Sequence, residues 1–138
     1  MAIVITMALP CAQAADGASN IKACPANDKK RDLCIVRKFK DSPEAMLIRG
    51  KLVFDHYCTL CHGETGEGNG RAAKVHNPRP ANLVKSLVPE QYIEMIVRKG
   101  GKAVGRYEGM PPWEDQLTNE QIIDVRTYVL SLRGSAVP

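Results

Sequence analysis

The 138-residue chain reads as an all-α domain of three to five short helices whose interior is completed by something other than side chains. Three observations predict this. Helix start signals precede three amphipathic segments, and no stretch shows the two-residue alternation of a half-buried strand. Residues 63 to 88 are too rich in glycine and proline for regular structure, and an irregular segment of that length inside a compact domain usually wraps around something. Aromatic residues make up only 5% of the chain, a thin supply of large core side chains for a small domain.

The first fourteen residues, MAIVITMALPCAQA, carry no charge and end in Ala12-Gln13-Ala14, the small-x-small form of a signal peptidase site. Residues 1–14 therefore read as a cleaved export signal. The run is too short to span a bilayer, which takes about 20 apolar residues, and no later segment is apolar for long enough, so no transmembrane anchor is expected. An export signal ordinarily opens with Lys or Arg; none precedes this run, which points to a true start upstream of Met1. Pro10 stands where a lipoprotein signal carries a small residue, which disfavours Cys11 as a lipid anchor. Loss of Cys11 with the signal leaves Cys24, Cys34, Cys58 and Cys61, an even set in an exported, periplasmic protein.

Residues 15–41 are polar, lack sustained periodicity and read as an N-terminal extension. They hold seven Lys/Arg against four Asp/Glu, whereas residues 42–138 hold twelve against eleven, so the basic character belongs mostly to this extension. A solvated segment that aids solubility explains that surplus more economically than a docking role. No aromatic-interleaved basic stripe occurs, and export argues against a nucleic-acid partner. A Cys24–Cys34 disulfide would close a loop of about ten residues, worth about 2.5–3 kcal/mol in the chain-entropy model.

The first amphipathic helix opens at Ser42-Pro43-Glu44, with Ser as N-cap, Pro at the first helical position and an acid in the first turn. Met46, Leu47, Gly50, Val53, Phe54 and Tyr57 share one face at 100° per residue, and the helix runs into Cys58. Pro89-Glu90 opens a second, with Tyr92, Ile93, Ile96 and Val97 apolar and Gly100-Gly101 ending it. Thr118 to Gln121 is a capping box that opens a third. Ile122, Val125, Val129 and Leu132 line one face of it with Tyr128 beside them, Ile123 and Leu130 form a second apolar pair, and Gly134 is the stop.

The chemistry is concentrated in Cys58-Thr59-Leu60-Cys61-His62. A thioredoxin-like dithiol needs its CxxC at a strand-to-helix turn of a βαβ chain, and here the motif ends a helix in an all-helical pattern. Structural zinc needs four ligands, and Cys24, Cys34, His56 and His76 make no second close-spaced pair. Covalent haem attachment explains every residue: each thiol adds to one vinyl group, and the following imidazole turns to the iron. A porphyrin also supplies the large apolar body that the aromatic count lacks.

With His62 on one side of the iron, the candidates for the other are Met46, Met95, Met110, His56 and His76. Met46 and Met95 lie on helices, where core or boundary packing explains them. Met110 lies in Tyr107-Glu108-Gly109-Met110-Pro111-Pro112-Trp113, between two helices, with Gly before it for close approach and two prolines after it to fix the backbone. Rigid placement suits a weak thioether ligand, and Met110 is preferred, with His76 as the alternative.

The sequence resembles the class I cytochromes c, specifically the small single-haem bacterial ones. The likeness is carried by Gly50 and Phe54 before CTLCHG, by GETGEGNG, NPRPANL and GMPPW, and by Val125 with Tyr128. It covers residues 42 to 134 and leaves residues 15–41 outside. The resemblance implies the class I fold around one haem c bound through Cys58 and Cys61. The first and last helices would cross at Gly50, with Phe54 near Val125, Tyr128 and Val129. A proline carbonyl, Pro78 or Pro80, would hold the second nitrogen of His62, and Arg79 and Trp113 would meet the haem propionates. It implies one-electron transfer rather than catalysis, with redox-protein donor and acceptor bearing acidic docking surfaces. Two rivals are a haem subunit of a larger periplasmic oxidoreductase, docked by residues 15–41, and a haem-based sensor or peroxidase.

Overall fold

A computed structural model describes residues 21 to 134; the export signal read over residues 1–14, with Cys11, lies outside the described residues. Within them all regular structure is helical: α1 (Asp28–Lys38), α2 (Pro43–Tyr57), α3 (Thr59–His62), a 3₁₀ turn (Ala73–Val75), α4 (Glu90–Ala103) and α5 (Asn119–Gly134). The caps read from the sequence are the ones formed. Ala45 N–H donates to Ser42 Oγ at 3.1 Å at the start of α2. At α5, Gln121 N–H donates to Thr118 Oγ1 at 3.2 Å while Thr118 N–H donates to Gln121 Oε1 at 2.8 Å. The regular part of α4 ends at Gly100, whose φ of 76° and ψ of 170° turn the chain before one more turn to Ala103.

The fold is organised by the crossing of α2 and α5, its most extensive helix pair. Gly50 allows it: a Cβ there would meet the Asp124 carbonyl and lie 2.9 Å from Tyr128 Cβ. One turn on, Phe54 is fully buried, its ring 5.3 Å from that of Tyr128 at 56°. Val53, Phe54, Ile93, Val97, Leu117, Ile122, Val125 and Val129 make the main apolar cluster. These are the faces expected from the 3.6-residue period, brought together from α2, α4 and α5.

Ion pairs fix the register of the helices. Asp124 on α5 is 1% exposed. Arg49 on α2 grips it in a fork, Nε to Oδ2 at 2.6 Å and Nη2 to Oδ1 at 3.0 Å, while Nη1 donates to the Lys40 carbonyl at 2.6 Å. The hydrogen bond to Asp124 raises the Arg49 pKa above its ordinary value. Between α4 and α5, Arg126 pairs with Glu90 at 2.9 Å and with Glu94 at 2.7 Å. Arg98 and Arg126 hold the Glu94 carboxyl below its usual range.

Residues 21–41 are more ordered than a polar extension suggests. Asn27 caps α1 by accepting from Lys30 N–H at 3.3 Å. Cys24 and Cys34 form the expected disulfide, with their Cα atoms 5.8 Å apart. Ile21, Ile35 and Ala45 make a second small core with Val36, Phe39 and Ile48 against it, docking α1 on α2. Its helical period is faint in the sequence because Ile35 is the one buried side chain among eleven mostly charged residues. The disulfide and that single anchor stand in for an apolar stripe.

Replacing Arg49 with Leu would leave the Asp124 carboxylate buried without a partner. The expected cost is about 3 kcal/mol in denaturant unfolding. The double replacement Arg49→Leu/Asp124→Leu should recover most of it. A single variant within about 0.5 kcal/mol of the parent would show that the pair does not lock the crossing.

Candidate functional site

The site begins where α2 ends. Cys58 N–H donates to the Phe54 carbonyl at 2.9 Å as the last bond of α2, and the Cys58 carbonyl then accepts from His62 N–H at 2.8 Å to close the short turn α3. Cys58, Cys61 and His62 are thus set on one turn. Its terminal carbonyls would be unpaired without the glycine-rich loop. Gly68 N–H donates to the His62 carbonyl at 2.8 Å, Gly70 N–H to that of Cys61 at 3.1 Å and Ala72 N–H to that of Leu60 at 2.9 Å. Gly63, Gly66 and Gly68 reach this path with φ of 78° to 80°, which other L-residues rarely adopt. GETGEGNG is therefore a backbone cap for the cysteine turn.

His62 Nδ1 lies 3.0 Å from the carbonyl oxygen of Ala81. A carbonyl only accepts, so Nδ1 carries the hydrogen and donates, and Nε2 is left with a free lone pair. The expected proline carbonyl is not the acceptor. Pro78 and Pro80 both line the cavity described below, but the Pro80 carbonyl is turned against Gly68, where a Cβ would strike it. The next carbonyl along, that of Ala81, faces the ring. Burial lowers the His62 pKa, against the opposing pull of the Ala81 bond, and so favours the neutral imidazole.

The turn opens onto a cavity of about 450 Å³. Its walls are Phe54 and Tyr57 of α2, the 78–88 segment, Ile93, Ile96 and Val97 of α4, the 106–113 loop, and Val125, Val129 and Arg133 of α5. The lining is mostly apolar, as cofactor sites are. Of the chain's seven aromatic residues, Phe54, Tyr57, Tyr92, Tyr107 and Trp113 face this space. The few large side chains therefore surround the centre of the domain instead of filling it. Arg79, Arg106 and Arg133 contribute to the wall, and among the described residues no carboxylate does.

Cys58 and Cys61 both line the cavity as free thiols. Burial, with a smaller contribution from Cys61, pushes the Cys58 thiol up to about 12. That disfavours Cys58 as an attacking thiolate, and the pair sits at a helix end and not at the strand-to-helix turn of a redox dithiol. Among the described residues no group of three or more His, Cys, Asp or Glu side chains converges to hold a metal, and Cys24 and Cys34 are consumed by their disulfide. Structural zinc does not fit either.

Of the five side chains considered opposite His62, only Met110 and His76 line the cavity. Met95 is 42% exposed on α4. His56 is exposed, its ring 4.6 Å from that of Tyr57. Met110 is carried by a loop bound to the end of α4. Gly101 N–H donates to the Met110 carbonyl at 2.9 Å, and Trp113 N–H takes the Val97 carbonyl at 3.0 Å. A Cβ on Gly100 would lie 2.9 Å from the Met110 carbonyl and 2.8 Å from Pro112 N, and one on Gly101 would strike the Tyr107 carbonyl. Gly100-Gly101 is thus both the end of a helix and the bed of the methionine loop. His76 is on the wall beside the same loop, its Nε2 3.7 Å from Cys61 Sγ, its ring 5.8 Å from that of Tyr107 and its Nδ1 2.9 Å from where a Cβ on Gly109 would stand. Trp113 stands edge-on to Tyr57 at 5.3 Å, and Arg79 is exposed at the rim.

The family model described as cytochrome c oxidase, cbb3-type, subunit III matches residues 45–129. The chain belongs to this family of c-type cytochrome domains. This cytochrome is 33% identical over 89 residues to cytochrome c-555 of Methylococcus capsulatus, covering 64% of this chain and 63% of that one. It is 34% identical over 92 residues to cytochrome c6 of Chlorolobion braunii, covering 62% of this chain and 90% of that one. Among solved structures it is similar to a chain of the Kuenenia stuttgartiensis reducing HAO-like protein complex, with a TM-score of 0.52 and 29% identity over 61% of this chain and 41% of that one. The chain thus spans less than two thirds of cytochrome c-555 and of the chain in that complex.

The cytochrome's cofactor is haem c, covalently bound through Cys58 and Cys61, and the site fits it. Two free thiols and an imidazole with a free Nε2 share one turn beside a cavity that is apolar in its walls and cationic where it is charged. Sequence reasoning missed Tyr92, Arg106 and Arg133 as cavity residues. For Arg133 a signal existed: Val125, Val129 and Arg133 are spaced i, i+4, i+8 on α5. After denaturing extraction with acidified organic solvent, colour is expected to remain with the polypeptide, whereas Cys58→Ala/Cys61→Ala protein should release it. Extraction of the colour from the parent chain would contradict covalent attachment.

Proposed function

We propose that this cytochrome is an exported one-electron carrier, relaying electrons between redox proteins, in which His62 and Met110 would hold the haem iron. The observation that carries the proposal is the hold on Met110: a helix end, two glycines and two prolines fix one thioether on the cavity wall. When bound, the haem supplies one-electron exchange at iron, and imidazole with thioether ligation favours the ferrous state and raises the potential.

The protein's own contribution is placement and exclusion. Cys58 and Cys61 fix the cofactor in the chain, so exchange with free haem is prevented. Ala81 holds His62 in the tautomer whose Nε2 lone pair is available, as outer hydrogen-bond partners do for ligating histidines. His62 and Met110 would together hold the iron and leave no site on it for oxygen or substrate, which supports electron transfer over catalysis. Phe54, Ile93, Val97, Val125 and Val129 keep the interior apolar, which also favours the less charged ferrous state. Arg79 and Trp113 on the wall are suited to meet propionates near the rim. Pro78 and Pro80 serve as wall contacts.

The chain is divided here into an export signal (1–14), a disulfide-stapled N-terminal segment (15–41) and the cytochrome domain (42–138). No helix of the described residues is long and apolar enough to cross a membrane. Donor and acceptor are expected to meet the basic protein, of formal charge +4, through acidic surfaces. A second reading, a haem domain within a larger periplasmic oxidoreductase, is favoured by the structural likeness to a chain of a multi-protein complex. Size exclusion of native extract separates the two: elution at the mass of the single chain supports the carrier.

Replacing Met110 with Ala is expected to lower the midpoint potential, abolish the weak long-wavelength band of sulfur bound to ferric iron, and let the ferrous protein bind carbon monoxide. An unchanged potential and spectrum would reject Met110. A parent without the sulfur band, whose His76→Ala variant binds carbon monoxide in the ferrous state while Met110→Ala does not, would instead transfer the role to His76.

A further inference from the structure

Arg133 is the last cation of α5 and the most awkward polar group in the molecule. Its Nη1 donates to the Val88 carbonyl at 2.8 Å. Its Nε and Nη2 are buried and meet no hydrogen-bond partner. An always-charged guanidinium with two buried, unsatisfied donors is costly unless an anion completes it. The described residues supply none: Arg133 lines the cavity, and among them no Asp or Glu does. The bond to Val88 fixes the side chain, so the two free donors are committed to what the cavity holds.

Haem carries two carboxylates, its propionates, on one edge of an otherwise apolar body. We infer that Arg133 is a propionate-binding residue, receiving one carboxylate on its buried Nε and Nη2 while Nη1 stays on Val88. The fork of Nε–H and Nη2–H matches the two oxygens of a carboxylate. Arg79 and Arg106 are exposed, and Arg106 Nε is occupied by Tyr92 Oη at 3.1 Å. Arg133 is therefore the arginine that shields a propionate from water, and the exposed arginines are left to the other. A buried cation beside one carboxylate keeps that acid ionised and balances its charge near the iron. The other titratable groups on the cavity wall are the tyrosines, Cys58, Cys61, His62 and His76.

The assignment rests on the haem occupying the cavity, and the test separates the two. The midpoint potential of the haem-loaded protein is measured across pH for the parent, Arg133→Gln and Arg133→Lys, with Arg126→Gln as a control. Arg126 lies on the same helix, pairs with Glu90 and Glu94, and does not line the cavity. Loss of the Arg133 charge is expected to move the propionate-linked bend of the curve upward by about 1–3 pH units and to lower the potential on its alkaline side. Arg133→Lys should show a smaller shift of the same sign, which carries the test if the Gln variant does not mature. Arg126→Gln should lose thermal stability with an unmoved curve. A coloured Arg133 variant with the parent's curve and only a lower melting temperature would overturn the inference, leaving Arg133 as a tie to Val88. A colourless parent would instead overturn the haem assignment itself.

Discussion

The main helices and loops of the described fold, from Phe54 to Arg133, are set against a space that their own side chains leave unfilled. The end of α2 with its cysteine turn, the kinked end of α4, the inner face of α5 and the methionine loop all border the same cavity of about 450 Å³. Walls such as Val97, Val125 and Val129 would lose dispersion contacts on that side if nothing filled it. The covalent haem is therefore a core component as well as a redox centre. It does what the missing aromatic residues do in a domain of ordinary composition.

Around that centre the backbone is used with little waste. The carbonyls at the end of α3 are taken by the glycine loop, those at the end of α4 by Trp113 and the turn after Gly100, and that of Ala81 by His62. Each of these bonds fixes a helix end and places a side chain that faces the cofactor. Structural satisfaction and functional placement are the same interactions, which is why the loops carry so much of the site.

The helices and caps of residues 42–134 were legible because periodicity and capping chemistry are local, and the attachment motif because Cys58, Cys61 and His62 lie within five residues. Met110 was legible through its glycine and proline neighbours, although its role remains a proposal. What distance determines was not legible. The Ala81 carbonyl, in place of Pro78 or Pro80, depends on how the loop packs against Gly68. The helix α1 depends on a disulfide and on Ile35 meeting Ala45, since its own composition is that of a solvated segment. Arg133 shows as a cavity residue only once Val88 and the end of α5 are seen side by side.

The central claim is that the cofactor completes the core. It is tested most directly by comparing amide hydrogen exchange of the haem-loaded protein with that of Cys58→Ala/Cys61→Ala chain freed of haem. The expected result is slow exchange in α2, α4 and α5 of the loaded protein and loss of that protection throughout all three helices in the haem-free chain, because folding and cofactor binding are coupled. Equal protection in the two forms would mean that the side chains close the core unaided, and would contradict the account.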